Sequence, residues 1–243
     1  MLRVLRVLPV VLPVVLLAGC GVAGTQFHPG IAAQVGDQTI TTRHVDEVSD
    51  GYCKAVEKVN KGQQTAEDQR PMRFLTHAFA TDLIVRAAAE QLADDYDVKP
   101  TAAYKDQLAQ LEPQLTTLSE GQKDAVREIF GAQAYAQDVL TQIGELSLKK
   151  QGTTDSTDDD QLAEGQKLLD QWVADHDVEI NPKYGIEVGK TTQVDTDLSY
   201  PLSATARGGA LGPADGNAAA DPDDTKLRAD YVAALPGQLV CLD

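Results

Sequence analysis

Aromatic residues and basic residues are both scarce in this chain. Only 5% of its 243 residues are aromatic, although 42% are hydrophobic, which suffices for one or two domains with a core. Lys and Arg number 21 against 37 Asp and Glu, so the formal charge is −16. Because nucleic acid and anionic lipid bind positive surfaces, we expect no nucleic acid partner and no membrane binding through bulk charge.

The residue patterns of common catalytic sites are missing as well. The sequence contains no Gly-x-Ser-x-Gly motif, phosphate-binding loop, dinucleotide-binding glycine pattern or Cys-x-x-Cys pair. Two acidic runs, at 158–160 and 221–224, lack the glycine-containing loop of a calcium-binding EF-hand. Four histidines have no partner at the spacing of metal ligands: His28, His44, His77 and His176. We therefore predict no catalytic residue, no cofactor and no metal site.

The first 19 residues have the three-part pattern of a signal peptide. Arg3 and Arg6 provide the charged part, residues 7–17 the apolar part, and small residues precede Cys20. A permanent transmembrane anchor is the weaker alternative, because the apolar run is short for a bilayer and two prolines interrupt it. We therefore expect residues 1–19 to direct export and to be removed.

Residues 17–20, Leu-Ala-Gly-Cys, resemble the lipobox of bacterial lipoproteins. The resemblance implies cleavage before Cys20 and attachment of diacylglycerol to its sulfur, and two or three acyl chains suffice for stable anchoring. A cysteine buried in a core is the disfavoured alternative, because no folded segment precedes it. Residues 20–30 are small and flexible in composition, so they predict a tether. We expect an extracytoplasmic protein held at the bacterial cell membrane by lipid on Cys20.

With Cys20 used for lipid, Cys53 and Cys241 are the two cysteines that remain. Exported proteins meet an oxidising environment, in which two cysteines commonly form one bridge. We predict a Cys53–Cys241 disulfide that ties the C-terminal residues to the first helix. Two buried thiols are the alternative.

Residues 31–41 predict a β-hairpin that is followed directly by a helix. The two-residue Gly36-Asp37 loop separates two short strands, and glycine in the first position suits a tight hairpin turn. Thr41 or Thr42 is placed to cap the helix. Apolar residues then recur at helical spacing as far as Val59, which predicts one buried helical face.

Two further helices are predicted from the positions of proline. Pro71 suits the start of a helix over residues 72–96, whose apolar face is wide enough to pack on two neighbours. Thr101 opens the next helix, which Pro113 kinks or ends. This part of the chain therefore predicts two packed helices.

The following segment predicts two more helices separated by a polar linker. A Ser-x-x-Gln capping box begins the long helix over 119–148, although Gly131 and Gly144 weaken the expectation that it is unbroken. Residues 149–160 have no apolar side chain and predict a linker. A last helix is expected over residues 161–176.

The C-terminal third contains one strand candidate and a long stretch of small and polar residues. Residues 178–185 alternate apolar and polar side chains, and Pro182 marks an edge strand or an early end. Residues 186–230 are rich in Gly, Ala, Asp, Thr and Pro, so we expect them to be largely extended or disordered. The end of the chain, residues 234–243, is apolar enough to dock onto the folded part of the protein.

The hairpin and helix start at 33–46, AQVGDQTITTRHVD, are followed by several helices and then by the strand at 178–185, VEINPKYG. This order resembles the SurA/PrsA type of extracytoplasmic foldase, and the lipobox matches the lipoproteins of that family. The resemblance implies a mostly α fold, with a helical chaperone lobe over 31–185 and a tail over 186–243. It also implies a small antiparallel sheet formed by the hairpin and the C-terminal strand of the lobe.

SurA/PrsA proteins carry parvulin-type prolyl isomerase domains, and this sequence departs from them there. The polar linker at 149–160 is far too short for such a domain. A Gly-Gly-x-Leu-Gly segment at 208–212 echoes a parvulin turn but stands outside the expected position. We therefore expect the lobe without its isomerase domain, and no enzyme.

The leading hypothesis is a lipid-anchored chaperone-like lobe that binds unfolded or newly exported polypeptides through an apolar groove between helices. The alternatives are a non-catalytic scaffold with one cell-envelope partner and, less favoured, a prolyl isomerase; no oligomeric state is predicted. For each candidate contact below, packing into the core is the competing role. The candidate client-binding residues are apolar side chains of the second and fourth predicted helices: Leu75, Phe79, Leu83, Phe130 and Tyr135.

Overall fold

The structure is a computed structural model that describes residues 29–61, 69–184, 186 and 222–241. The helices are α1 (Thr42–Val59), α2 (Met72–Asp95), α3 (Ala102–Leu111), α4 (Glu120–Lys150), α5 (Asp158–Asp175) and α6 (Pro222–Ala233). The strands are β1 (Ile31–Val35), β2 (Gln38–Thr41), β3 (Arg70–Pro71), β4 (Val178–Ile180) and β5 (Val240–Cys241). The predicted mostly α fold with a small antiparallel sheet is confirmed.

Several predicted features lie outside the described residues. They are the signal peptide at 1–19, the lipid-bearing Cys20 with most of its tether, and the segment at 208–212. None of the helices in the described part of the chain combines the length and the apolar character that a bilayer span needs.

The three-stranded sheet has the order β2–β1–β4, with both pairings antiparallel. Gly36 has a φ of +53°, which a glycine adopts without strain, and Val35 pairs with Gln38 across the turn. On the other side of β1, Ala33 pairs with Ile180. The predicted pairing of the C-terminal strand with the hairpin is therefore confirmed.

The helices begin where side chains cap them. Thr41 Oγ1 accepts a hydrogen bond from the backbone N–H of His44 at 3.1 Å, at the start of α1. The predicted capping box at Ser119 opens α4. A second box, formed by Thr157 and Asp160, starts α5 at Asp158, earlier than the predicted start at 161.

The main core lies between the sheet and α2, α4 and α5. Val35 and Ile143 are fully buried in it, and Trp172 of α5 is 7% exposed. The Trp172 indole Nε1–H donates a hydrogen bond to Asp95 Oδ2 at 3.0 Å, so the buried ring has a polar partner. The predicted apolar face of α1 is buried in part, but Val59 is exposed, which contradicts the expectation for that residue.

Helix α4 is continuous from Glu120 to Lys150, so its two glycines do not interrupt it. Gly144 instead permits close packing on α5, because a Cβ atom built there would lie 1.8 Å from the carbonyl oxygen of Gln161. Gly165 of α5 meets α4 in the same way, with its Cβ position 2.0 Å from the oxygen of Leu140. The two helices therefore pack backbone against backbone.

The C-terminal residues return to the start of the chain. Strand β5 pairs with β3, with Arg70 opposite Cys241 and Pro71 opposite Val240. A disulfide joins Cys53 to Cys241, whose Cα atoms are 5.5 Å apart, so the pairing predicted from the sequence is formed. The expectation that residues 186–230 are largely extended or disordered is wrong for residues 222–230, because α6 covers Pro222–Ala233. Residues 187–221 lie outside the part of the chain that the structure describes.

Candidate functional site

An open groove of about 720 Å³ lies beside the hairpin. Strand β2 forms one border along its whole length, and the start of α1 continues that border. Helices α2, α3 and α4 supply the rest of the wall. We call this space the β2 groove, and its volume lies within the range of about 300–1,000 Å³ that is usual for ligand sites.

The apolar part of the wall comes from two helices and the strand. It consists of Ile40 of β2, Leu83 and Ala87 of α2, and Tyr104 and Leu108 of α3. These residues come from distant parts of the sequence. The groove therefore offers apolar surface that is distributed among polar groups.

Gly131 of α4 leaves the groove open where α3 and α4 approach each other. A Cβ atom built on Gly131 would lie 3.6 Å from Leu108 and 3.8 Å from the Tyr104 hydroxyl, which are ordinary contact distances. A methyl group therefore fits at this position, whereas a large side chain would project into the groove.

The charged groups of the α2 wall neutralise one another. Arg86 Nε donates to Glu90 Oε1 at 2.8 Å, and Gln38 of β2 donates to the second carboxylate oxygen at 3.2 Å. The Arg86 guanidinium also lies 5.4 Å from the ring centre of Tyr135. This wall thus presents a paired cation and anion.

Hydrogen bonds also engage the polar and charged groups of the α4 wall. His44 Nε2 and Glu128 Oε1 are 2.6 Å apart, which joins α1 to α4 across the groove border. Arg127 donates two hydrogen bonds to Glu112, both at 2.8 Å, and a third to Asp124. The hydrogen bonds from Arg127 hold the pKa of the Glu112 carboxyl below its usual value.

Tyr135 packs edge-to-face on Tyr104, a residue of the groove wall, with 5.7 Å between the ring centroids. Burial raises the pKa of the Tyr135 hydroxyl, and the carboxylates of Glu90 and Asp94 raise it further. The phenol therefore stays neutral at physiological pH and can both donate and accept a hydrogen bond.

No family model matches the chain, and no curated protein or solved structure is significantly similar to it. The geometry and chemistry of the β2 groove are therefore the basis for assigning a function.

The five candidate client-binding residues do not form one surface. Of these candidates, Leu83 lines the β2 groove, whereas Tyr135 is not a lining residue and packs on Tyr104 of the wall. Phe79 is 5% exposed, and it packs with Leu75 in a separate cluster between α1, α2 and α4. Phe130 is 46% exposed but is not part of the groove wall.

The two bonded cysteines belong to a group of three side chains with metal-ligand atoms. Glu57 Oε1 lies 3.3 Å from Cys53 Sγ, and Cys241 completes the group, which is the single such cluster among the residues that the structure describes. Metal binding by cysteine requires the thiolate. Because both sulfurs form the disulfide, this group is a covalent link between α1 and β5.

Most of the groove wall is not evident from the sequence. In the sequence, His44 is an isolated histidine, and Gly131 is only a residue that disfavours a continuous helix. Arg86, Glu90 and Arg127 carry no motif. The one usable signal was a glycine in the middle of a long helix, which often marks a close approach or an opening.

Proposed function

We propose that this protein is a lipid-anchored, chaperone-like binder of unfolded or newly exported polypeptides, and that these polypeptides enter the β2 groove. The observation that carries the proposal is the groove itself, an open space bordered by a strand and by apolar side chains. The resemblance of the sequence to SurA/PrsA foldases supports the same class of client.

The composition of the wall favours polypeptide over a small charged ligand. Ile40, Leu83 and Leu108 offer apolar contact, while the cations near them are already paired with carboxylates. A site for a phosphate or a carboxylate would keep unpaired cationic donors. We propose a binding role without catalysis.

The proposed anchor is lipid on Cys20. A tether formed by residues 20–30 would keep the groove close to the membrane. It would thereby raise the effective concentration of the groove where exported chains emerge. Cys20→Ser is expected to move the protein from the membrane fraction to the soluble fraction; retention of this variant in the membrane fraction would contradict the anchor.

The test of client binding uses the full chain and several unrelated denatured proteins. We expect the protein to suppress their aggregation, as measured by light scattering. Gly131→Phe fills the groove, whereas Gly131→Ala adds only a methyl group to the same site. The Phe variant should therefore suppress client aggregation much less than the Ala variant does.

Two outcomes would overturn parts of the proposal. Equal suppression by the Phe and Ala variants would place client binding outside the groove. A dedicated scaffold would be favoured if the unaltered protein did not suppress the aggregation of any client and captured one partner from envelope extracts. The fluorescence of Trp172, the single tryptophan, reports whether each variant is folded.

A further inference from the structure

Strand β2 is an edge strand that borders the groove. The sheet order β2–β1–β4 places β1 on one side of β2, and no strand of the described chain pairs with its other side. An open edge presents backbone N–H and C=O groups that another extended chain can pair with. All four residues of β2 line the groove, so its border includes such an edge.

The hairpin register identifies which backbone groups are open. Val35 and Gln38 flank a two-residue turn, and residues in that position exchange hydrogen bonds with each other. In an antiparallel pair of strands, hydrogen-bonded and non-hydrogen-bonded residue pairs alternate. The next pair, Gln34 and Thr39, is therefore non-hydrogen-bonded, and the N–H and C=O of Thr39 point away from β1. In the described chain, no other backbone group bonds to them.

The pairing on the other side of β1, with β4, supports this register. The backbone oxygen of Ala32 accepts a hydrogen bond from Asn181, and Gln34 pairs with Glu179. Ala32 and Gln34 therefore face β4, while Ala33 and Val35 face β2. Their partners in β2 are Ile40 and Gln38, so Thr39 is the residue between them that faces outward.

An added strand would lie about 4.8 Å from β2. The side chains of paired residues share a face of the sheet, and Ile40 points toward the main core beneath the sheet. Alternate side chains of the added strand would point the same way and meet Leu83 and Ala87 of α2. The others would point toward solvent, as the exposed side chain of Thr39 does.

The groove wall has no unpaired arginine for an acidic occupant. Arg86 is paired with Glu90, and Arg127 with Glu112 and Asp124. Among the lining residues, three carboxylates (Glu90, Asp124 and Glu128) stand against two arginines, and the chain as a whole carries a charge of −16. An acidic side chain that entered the groove would lose water without gaining a free counter-charge.

We infer that the β2 groove binds its occupant by strand addition: an extended, proline-free polypeptide segment without acidic side chains pairs with the open edge of β2 through the Thr39 backbone. This inference rests on the proposed function, and it specifies how the client is held. Main-chain hydrogen bonds supply affinity that is independent of sequence, and the apolar wall selects alternating apolar side chains.

The first test compares Thr39→Pro with Thr39→Val in the full chain. Both variants lose the hydrogen bond from the Thr39 hydroxyl to Gln34 Oε1, but only proline removes the outward N–H. Proline is tolerated at an outward-facing position of an edge strand. The probe is a capped, fluorescent seven-residue peptide of alternating valine and threonine. We expect it to bind Thr39→Pro about tenfold more weakly than Thr39→Val.

The second test alters the peptide and leaves the protein unchanged. Two versions of the probe carry N-methyl groups on alternate residues, one on the valines and one on the threonines. Strand addition predicts that one version binds about tenfold more weakly than the other, because only one set of N–H groups faces β2. This test remains informative if Thr39→Pro does not fold.

The outcomes separate this inference from the proposed function. Equal binding of the two methylated peptides, or equal binding by the two Thr39 variants, would overturn strand addition. If Gly131→Phe still lost binding in that case, the groove would remain the client site. If the unaltered protein bound neither the probe nor denatured clients, the proposed function itself would be wrong.

Discussion

Asp82 of α2 is a partly buried carboxylate that links two helices. Gln133 Nε2 of α4 donates a hydrogen bond to Asp82 Oδ2 at 2.9 Å. Burial raises the pKa of Asp82, and the hydrogen bond from Gln133 opposes that rise without cancelling it. Because the folded pKa lies above the unfolded value, ionisation of Asp82 destabilises the fold. This penalty is present at neutral pH and is lost as the pH falls through the folded pKa.

We therefore predict that Asp82→Asn raises the free energy of unfolding at pH 7. The asparagine oxygen can still accept from Gln133, and the expected gain is about 0.5 kcal/mol or less, because solvent screens a partly exposed group. The gain should shrink as the pH is lowered toward about 4. Urea unfolding followed by Trp172 fluorescence measures it, with the exposed Asp106→Asn as the control. A gain that stayed constant with pH would contradict this assignment.

The α4–α5 pair shows how two elements depend on glycine. Gly144 and Gly165 have no side chain at the crossing, so the backbone of each helix reaches carbonyl oxygens of the other. Helix α5 carries Trp172 into the main core and leads directly to β4. The close crossing therefore positions both the core tryptophan and the third strand of the sheet.

We predict opposite effects for alanine at two glycines of α4. Gly144→Ala places a methyl group within 1.8 Å of a backbone oxygen of α5, and it should lower the free energy of unfolding by about 1–3 kcal/mol or more. Gly131→Ala meets only ordinary contacts and should raise it by up to about 1 kcal/mol, because alanine favours the helix. Thermal unfolding of both variants checks this difference. Equal effects would show that the crossing is looser than described.

In the whole molecule, the C-terminal residues are tied to the N-terminal helix. The Cys53–Cys241 disulfide spans 188 residues, and β5 also pairs with β3 at the start of α2. Arg73 of α2 lies 5.2 Å from the ring centre of Tyr231 in α6, which adds a contact near this link. The last described elements are thereby held against α1 and α2.

We predict that Cys53→Ala combined with Cys241→Ala lowers the free energy of unfolding by about 2–4 kcal/mol, because the unfolded chain gains the freedom that the bridge removes. Cys20→Ala changes the third cysteine without breaking the bridge, so it should leave the unfolding free energy unchanged. Urea unfolding under non-reducing conditions measures both. Two reactive thiols at positions 53 and 241 in unreduced, denatured protein would show that the bridge does not form.

Much of the fold was predictable because its signals are local. The Gly36-Asp37 turn, the capping box at Ser119 and the break before Ala102 each depend on a few neighbouring residues. The alternating pattern at Val178–Ile180 indicated a strand, and resemblance to a known order of elements predicted its partner. Helix α6 was not predicted, because its apolar residues are few and its composition is rich in small and acidic residues.

The groove could not be predicted, because no local pattern brings its wall together. Ile40, Leu83, Tyr104 and Gly131 become neighbours only when β2, α2, α3 and α4 pack together. The same packing places Phe79 in the cluster between α1, α2 and α4 and Leu83 against the groove, although both side chains are almost fully buried and belong to one apolar helix face. Chain order and local propensity thus establish which elements form. Long-range packing, which depends on side-chain volumes and on glycines at close crossings, decides where an opening remains between them.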